Sequence, residues 1–200
     1  IGFVGFSDPL RLDVRESLES AKKAGLRPII ITGDHKNTAM VIAREAGFIF
    51  DEKNILEGKD LDVMSDEELE KMVDKISIYA RTVPAHKLRI IKAWQAKGET
   101  VAMTGDGVND APALKAANIG IALGSGTEVA KQASDLVLLD DSFSVIVSAI
   151  RQGRIIFDNI KKIIVFILKD AFSEVNLIVL SLVFQLPLPI LPAQILWVNL

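Results

Sequence analysis

The sequence contains no cysteine. Disulfides and thiolate metal sites are therefore excluded. Its two histidines, His35 and His86, share no zinc spacing and are read as surface residues. Neither charge sign dominates, with 23 Lys and Arg against 26 Asp and Glu. An electrostatic grip on nucleic acid is excluded on that balance. There is no Walker glycine-lysine loop and no dinucleotide glycine pattern. No secretory signal opens the chain, because the apolar run Ile1 to Phe6 is short and meets Asp8 and Pro9. Disorder is excluded by a hydrophobic content of 50%. Both ends fall inside apolar runs, and the simplest reading is an internal piece of a longer protein.

What is present alternates. Short β-branched runs at Phe3-Val4-Gly5-Phe6, Pro28 to Ile31, Ile76 to Tyr79, Thr100 to Met103, Ile119 to Leu123 and Leu136 to Leu139 read as strands. Between them lie amphipathic helical patterns near Leu10 to Ala24, Asn37 to Ala46, Pro84 to Lys97, Ala111 to Ala117 and from Glu128. Residues Asp51 to Asp74 read as a loop with one short helix, Asp66 to Val73, capped by Ser65 with Glu68 as its partner. Alternation of this kind predicts an α/β domain with a mostly parallel sheet, since parallel neighbours need crossovers.

After Ser142 the character changes. A helical pattern continues to Pro187, and Ile163 to Phe184 would make about 33 Å of helix, the thickness of a bilayer core. Lys161 and Lys162 before it predict a cytoplasmic α/β domain. The expected divisions are 1–145 for the α/β domain, 146–162 for a stalk helix and 163–200 for a transmembrane hairpin.

Two strands end in the same tripeptide, Thr32-Gly33-Asp34 and Thr104-Gly105-Asp106. Open α/β sheets bind ligands at the carboxyl ends of their strands, where glycine lets the backbone approach an anion and helix N-termini offer free N–H groups. The second unit continues as Gly107-Val108-Asn109-Asp110, a hard oxygen-donor cluster that suits Mg²⁺ beside a phosphate, or equally a solvated helix cap. Lys87 could place a cation on a phosphate, or on a nucleophilic carboxylate to hold it ionised. Within the candidate span, Lys169, Asp170 and Glu174 are costly in lipid, and Asp170 and Glu174 share one helix face. An ion path is the reading they favour.

These residues, together with Asp8-Pro9-Leu10-Arg11, Ala111-Pro112-Ala113-Leu114, Gly124-Ser125-Gly126-Thr127 and Leu196-Trp197-Val198-Asn199-Leu200, resemble the P-type cation-transporting ATPases, specifically the calcium-pump-like branch. The resemblance implies a partial haloacid-dehalogenase-like parallel sheet, followed by a long stalk and transmembrane helix and the start of another. It implies Thr32, Gly33, Lys87 and Asn109 around a phosphoryl group. Asp106 would ligate Mg²⁺ directly, with Asp110 supporting the metal. Asp8, Arg11, Asp34 and Arg81 would lie toward the nucleotide or a hinge, and Asp170, Glu174 and Asn199 along the transported cation's route. ATP would be the substrate, and a multi-pass position in the plasma membrane the setting. The nucleophilic aspartate, the nucleotide-binding and actuator domains and other membrane helices would belong to the preceding chain, so this piece alone would not hydrolyse ATP.

Where calcium and sodium pumps carry an asparagine three residues before the glutamate, this chain has Ala171, flanked by Lys169 and Asp170. That implies one cation ligand fewer, and leaves calcium or another small cation as cargo. A soluble phosphatase of the same superfamily and a non-catalytic membrane module are the alternative functions.

Overall fold

The computed structural model describes residues 10–11 and 13–187. Asp8 and Asn199, the first expected strand and the expected second membrane helix lie outside them. The chain falls into two compact units, Ile1–Val147 and Ser148–Leu200.

The first unit alternates as the sequence predicts. It runs α1 (Val14–Lys23), β1 (Ile30–Ile31), α2 (Lys36–Glu45), β2 (Ile55–Glu57), α3 (Gly58–Val63), α4 (Asp66–Met72) and β3 (Ile78–Ala80). It continues with α5 (Pro84–Ala96), β4 (Ala102–Gly105), α6 (Ala111–Ala116), β5 (Ile119–Leu123), α7 (Glu128–Ala133) and β6 (Leu136–Leu138). Among the described residues the strands form two three-stranded parallel sheets, ordered β1-β3-β2 and β4-β5-β6.

Strand β2 and helix α3 correct the reading of residues 51–65 as loop. Within Ile55–Glu57 only two residues are apolar, among charged neighbours, so no periodicity announces a strand. Tertiary contact decides instead: both are buried, and β2 pairs in register with β3. Ser65 does cap α4, accepting from the Glu68 N–H at 3.2 Å while the Glu68 carboxylate accepts from the Ser65 N–H at 2.9 Å. This reciprocal pair satisfies two backbone donors that the helix start leaves open.

Three apolar clusters hold the unit. Ala39 and Ala43, one turn apart on α2, pack with Ile55, Ile78 and Ala80. Their small side chains bring α2 close to β3. Leu61, Leu69, Val73, Tyr79, Ile90 and Trp94 are part of a second cluster, and Ile91, Met103, Leu114 and Ala122 part of a third. Each fully buried Leu or Ile contributes roughly 1.5–3 kcal/mol relative to exposure. Among the described residues, the buried Tyr79 hydroxyl and Trp94 indole nitrogen find no hydrogen-bond partner. Burial pushes the Tyr79 phenol above its ordinary value.

Helix α8 (Phe143–Val183) spans 41 residues. Most of its apolar side chains are exposed, from Ile155 to Val183, whereas Asp170 and Glu174 are half-buried and Ser181 is buried. Ser173 and Ser181 donate back to the Lys169 and Leu177 carbonyls at 2.9 and 2.8 Å, which satisfies both hydroxyls within the helix. Among the described residues no helix is long and apolar enough to cross a membrane. The expectation of an apolar span over Ile163 to Phe184 is therefore not met. Length is ample, but Lys169, Asp170 and Glu174 interrupt the apolar run.

Candidate functional site

Parallel strands deliver their carboxyl ends to one side of a sheet, and the two repeated tripeptides sit at such ends. Thr32 follows β1, Arg81 and Thr82 follow β3, and Thr104 and Gly105 close β4. The ends of β1 and β3 are sewn together. Thr82 donates its amide and its hydroxyl, each at 3.0 Å, to the Thr32 carbonyl. The Arg81 N–H donates to the Asp34 carbonyl at 2.9 Å. Arg81 takes the left-handed conformation, with φ of 50°, to make that turn. The Thr32 hydroxyl donates to Asp34 Oδ2 at 3.0 Å and accepts from the Asp34 amide at 3.1 Å, a local turn that fixes the tripeptide. Gly33 and Asp34 remain exposed.

The second group centres on Asp110. Its Oδ1 accepts from Lys87 Nζ at 2.5 Å. Its Oδ2 accepts from the Asp106 and Gly107 amides at 3.3 and 3.2 Å. Asp110 is buried, and the Lys87 side chain is 16% exposed. Such a pair is held by two opposite charges and three hydrogen bonds in a poorly hydrated place, where electrostatic attraction is strong and an unpaired partner is costly. Gly105 makes room for it. A Cβ there would stand 2.5 Å from the Asp110 Cβ and 2.8 Å from its Cγ, so no side chain fits without a shift.

Lys87 belongs to the first turn of α5, which follows β3, so the lysine carries a cation from the end of one sheet to the loop of the other. The Asp106 carboxylate and the Asn109 side chain are exposed beside that loop. Among the described residues no three His, Asp or Glu side chains form a metal-holding cluster. Asp106 nevertheless fits one part of a Mg²⁺ shell, which takes one or two carboxylates and fills the rest with water and phosphate oxygens. Asp110 does not offer a free oxygen, because both are engaged. Its position suits support of the Asp106 loop.

Arg11 stands with another neighbour. It donates to the Asp141 carbonyl at 2.8 Å, just before α8. Asp170 and Glu174 lie on α8, one turn apart.

Two residues escaped the sequence reading. Thr82 joins the strand ends, as described. His86 is not a surface residue: it is 5% exposed. Its Nδ1 accepts from the Val83 N–H at 3.3 Å, and its Nε2 meets Asp62 Oδ1 at 2.8 Å. A donor on the Nδ1 side leaves the proton on Nε2, which faces the carboxylate. His35, by contrast, is exposed and caps α2, accepting from the Asn37 N–H at 3.2 Å. With Lys36, Asn37, Glu57, Lys59 and Arg81 it lines an open, mainly cationic hollow beside the Thr32 turn.

Comparison with known proteins gives consistent results. A family model described as haloacid dehalogenase-like hydrolase matches residues 1–118. Calcium-transporting ATPase 1 of Bacillus cereus is 50% identical over 201 residues, covering 100% of this chain and 23% of that protein. Calcium-transporting ATPase type 2C member 2 of Homo sapiens is 46% identical, covering 100% of this chain and 21% of that protein. The chain thus spans under a quarter of the length of these relatives. Among solved structures, a zinc-transporting PIB-type ATPase in its E2.Pi state superposes with a TM-score of 0.65 at 27% identity, covering 90% of this chain and 24% of that one. The catalytic domain of the CPx-ATPase CopB-B superposes with a TM-score of 0.55 at 27% identity, over 72% of this chain and 46% of that one.

Proposed function

The chain belongs to the haloacid dehalogenase-like hydrolase family, and from that membership we propose that it is one part of an ATP-driven cation pump. The pump forms an aspartyl-phosphate and couples its formation and hydrolysis to movement of calcium or another small cation across a membrane. The observation that carries this reading is the bonded series Lys87, Asp110, Asp106 at the carboxyl ends of parallel strands, in a chain whose whole length is matched by calcium-transporting ATPases.

The nucleophilic aspartate comes from the preceding part of the full-length protein, as does the nucleotide-binding domain. Phosphoryl transfer needs positioning and charge neutralisation more than covalent chemistry from the surrounding protein. Lys87 supplies a fixed positive charge toward the transferred group. Asn109 offers an amide to its oxygens, Thr32 offers its hydroxyl by turning it away from Asp34 Oδ2, and Gly33 keeps the approach open. Asp106 would hold Mg²⁺, which would supply neutralisation of phosphate charge. Asp110 keeps the Asp106 loop in place through two backbone amides. Arg11, Asp34 and Arg81, with Asp8 outside the described residues, serve the nucleotide or the hinge.

In α8, Asp170 and Glu174 share a face and contribute oxygen ligands to the transported cation, with Asn199. A charge-bearing helix of this kind is kept in a bilayer only where it faces protein or water. The pump reading therefore assigns the part of α8 from Ile163 onward to a bundle of helices in a membrane, residues 146–162 to a stalk, and the α/β unit to the cytoplasm. A soluble phosphatase is disfavoured, because the similarity to calcium-transporting ATPases runs through residues 148–200 as well.

The test is ATP hydrolysis by the full-length protein across a panel of cations, with Glu174→Gln as control. Stimulation by a cation, lost or weakened in the variant, is expected. Indifference to every cation, or an unaffected variant, refutes the reading.

A further inference from the structure

The motif Gly124-Ser125-Gly126-Thr127 was noted in the sequence but has no role in the pocket described above. Its place in the structure gives it one. The turn backs directly onto Asp106. Thr127 donates its amide to the Asp106 carbonyl at 2.8 Å, and a Cβ on Gly126 would stand 3.0 Å from that carbonyl oxygen and 3.1 Å from the Asp106 Cα. On its other side, the Ser125 amide donates to Asp141 Oδ1 at 3.2 Å. Asp141 sits two residues before α8 begins and takes a left-handed conformation, with φ of 54°.

The segment around Asp141 is itself anchored. Arg11 donates to the Asp141 carbonyl. Asp140 Oδ1 accepts the Ser142 amide at 3.2 Å. The Ser142 hydroxyl donates to Asp13 Oδ2 and meets the Ser144 hydroxyl, each at 2.7 Å. Ser142 and Ser144 flank the start of α8. A continuous run of bonded groups thus leads from Asp106 through Thr127, Gly126 and Ser125 to Asp141 and the first turn of α8. The Ser125 hydroxyl and amide and the Gly124 amide hold the Asp141 carboxyl below its ordinary value, as an engaged carboxylate requires.

The geometry points to Asp141 as a positioning residue, whose carboxylate holds the Gly124–Thr127 turn against the Asp106 loop and ties that loop to the foot of α8. The inference rests on the pump reading and adds to it a specific link between the metal-holding loop and the long helix.

The left-handed backbone makes the role separable from simple fold support. Glycine suits φ of this sign better than any other residue, so Asp141→Gly keeps the turn and removes only the acceptor. Asparagine also tolerates the conformation and keeps a side-chain oxygen. The full-length protein and these two variants are compared in three ways. Amide hydrogen exchange is followed at residues 124–127 without Mg²⁺. Acid-stable phosphoenzyme formed from ATP, in the presence of the cation panel, is titrated with Mg²⁺. Thermal melting is recorded alongside.

In Asp141→Gly, exchange at residues 124–127 is expected to speed up about tenfold, and the Mg²⁺ concentration for half-maximal phosphoenzyme to rise by about the same factor, the usual weight of one hydrogen bond to a charged group. Asp141→Asn is expected to stay close to the parent in both. Unchanged exchange in the glycine variant overturns the assignment. So does equal damage in both variants, since asparagine retains the acceptor. A melting temperature lowered in the glycine variant but not the asparagine one, with the Mg²⁺ requirement unmoved, also overturns it, because the residue would then serve the fold alone. A parent protein that forms no phosphoenzyme refutes the pump reading itself and this inference with it.

Discussion

Replacing Lys87 by methionine tests the centre of the site. The change keeps most of the side-chain volume and removes the charge. Asp110 would then keep two amide bonds on Oδ2 but lose the cation on Oδ1, while remaining buried. Breaking a buried pair from one side costs about 3–5 kcal/mol, because the other charge is left without compensation. The surviving amides place the expected loss at the lower end, about 3 kcal/mol. Asp110→Asn, which leaves Lys87 facing an amide, is expected to cost a similar ~3 kcal/mol. In the double variant neither charge is stranded, and about 4 kcal/mol is expected in place of the sum, a coupling of about 2 kcal/mol. Urea unfolding followed by tryptophan fluorescence reads this directly. With a slope of about 2 kcal/mol per M, each single variant moves the midpoint down by about 1.5 M. A double variant that equals the sum of the singles within about 0.5 kcal/mol would show that Lys87 and Asp110 do not act as a pair.

Three further outcomes follow from the geometry. Gly105→Ala forces a Cβ into the Asp110 side chain; it is expected to lose about 1–3 kcal/mol of stability in urea and to abolish phosphoenzyme in the full-length protein. Normal phosphoenzyme from that variant would mean the Asp110 position is not critical. Tyr79→Phe removes a buried hydroxyl without a partner and should be neutral or stabilising by up to about 1 kcal/mol; a clear loss would reveal a hidden partner for that hydroxyl. The Ser142 hydroxyl holds Asp13 below its ordinary carboxylate value of 3.8, so its contribution is present above that value and is lost as the pH falls through the lower folded value. Comparing parent and Asp13→Asn stability from pH 6 down to acid should show a gap that closes only below the ordinary aspartate range. A gap that is constant through acid would contradict the assignment.

Much of the first unit was legible from local pattern. Ile119 to Leu123 is a strand over the residues expected, and Ser65 and Glu68 cap α4 as read. Strand β2 was not legible, because two apolar residues among charges carry no period, and its identity comes from pairing with β3. The two Thr-Gly-Asp turns announced a pocket by their chemistry. The contact between Lys87 and Asp110 could not be read, since 23 residues separate them and only the crossover through α5 brings them together. His86 reads as a surface residue from its lack of zinc spacing, although it stands one turn before Ile90 and in phase with Ala93 and Trp94 on the buried face of α5. Its burial depends on Asp62 from a helix the sequence did not reveal. Asp141 gave no sign of its left-handed turn, which the Arg11 and Ser125 contacts impose from distant parts of the chain.

Helix α5 sends adjacent residues, Ile90 and Ile91, into two different cores. Spinning the helix about its own axis would withdraw one isoleucine as it drove the other deeper, so that motion meets resistance in either sense. Lys87 stands in the first turn of that same helix, so the packing of both isoleucines fixes where its ammonium meets Asp110. A cavity cut in either core, even far from the loop, would therefore be felt at the ion pair.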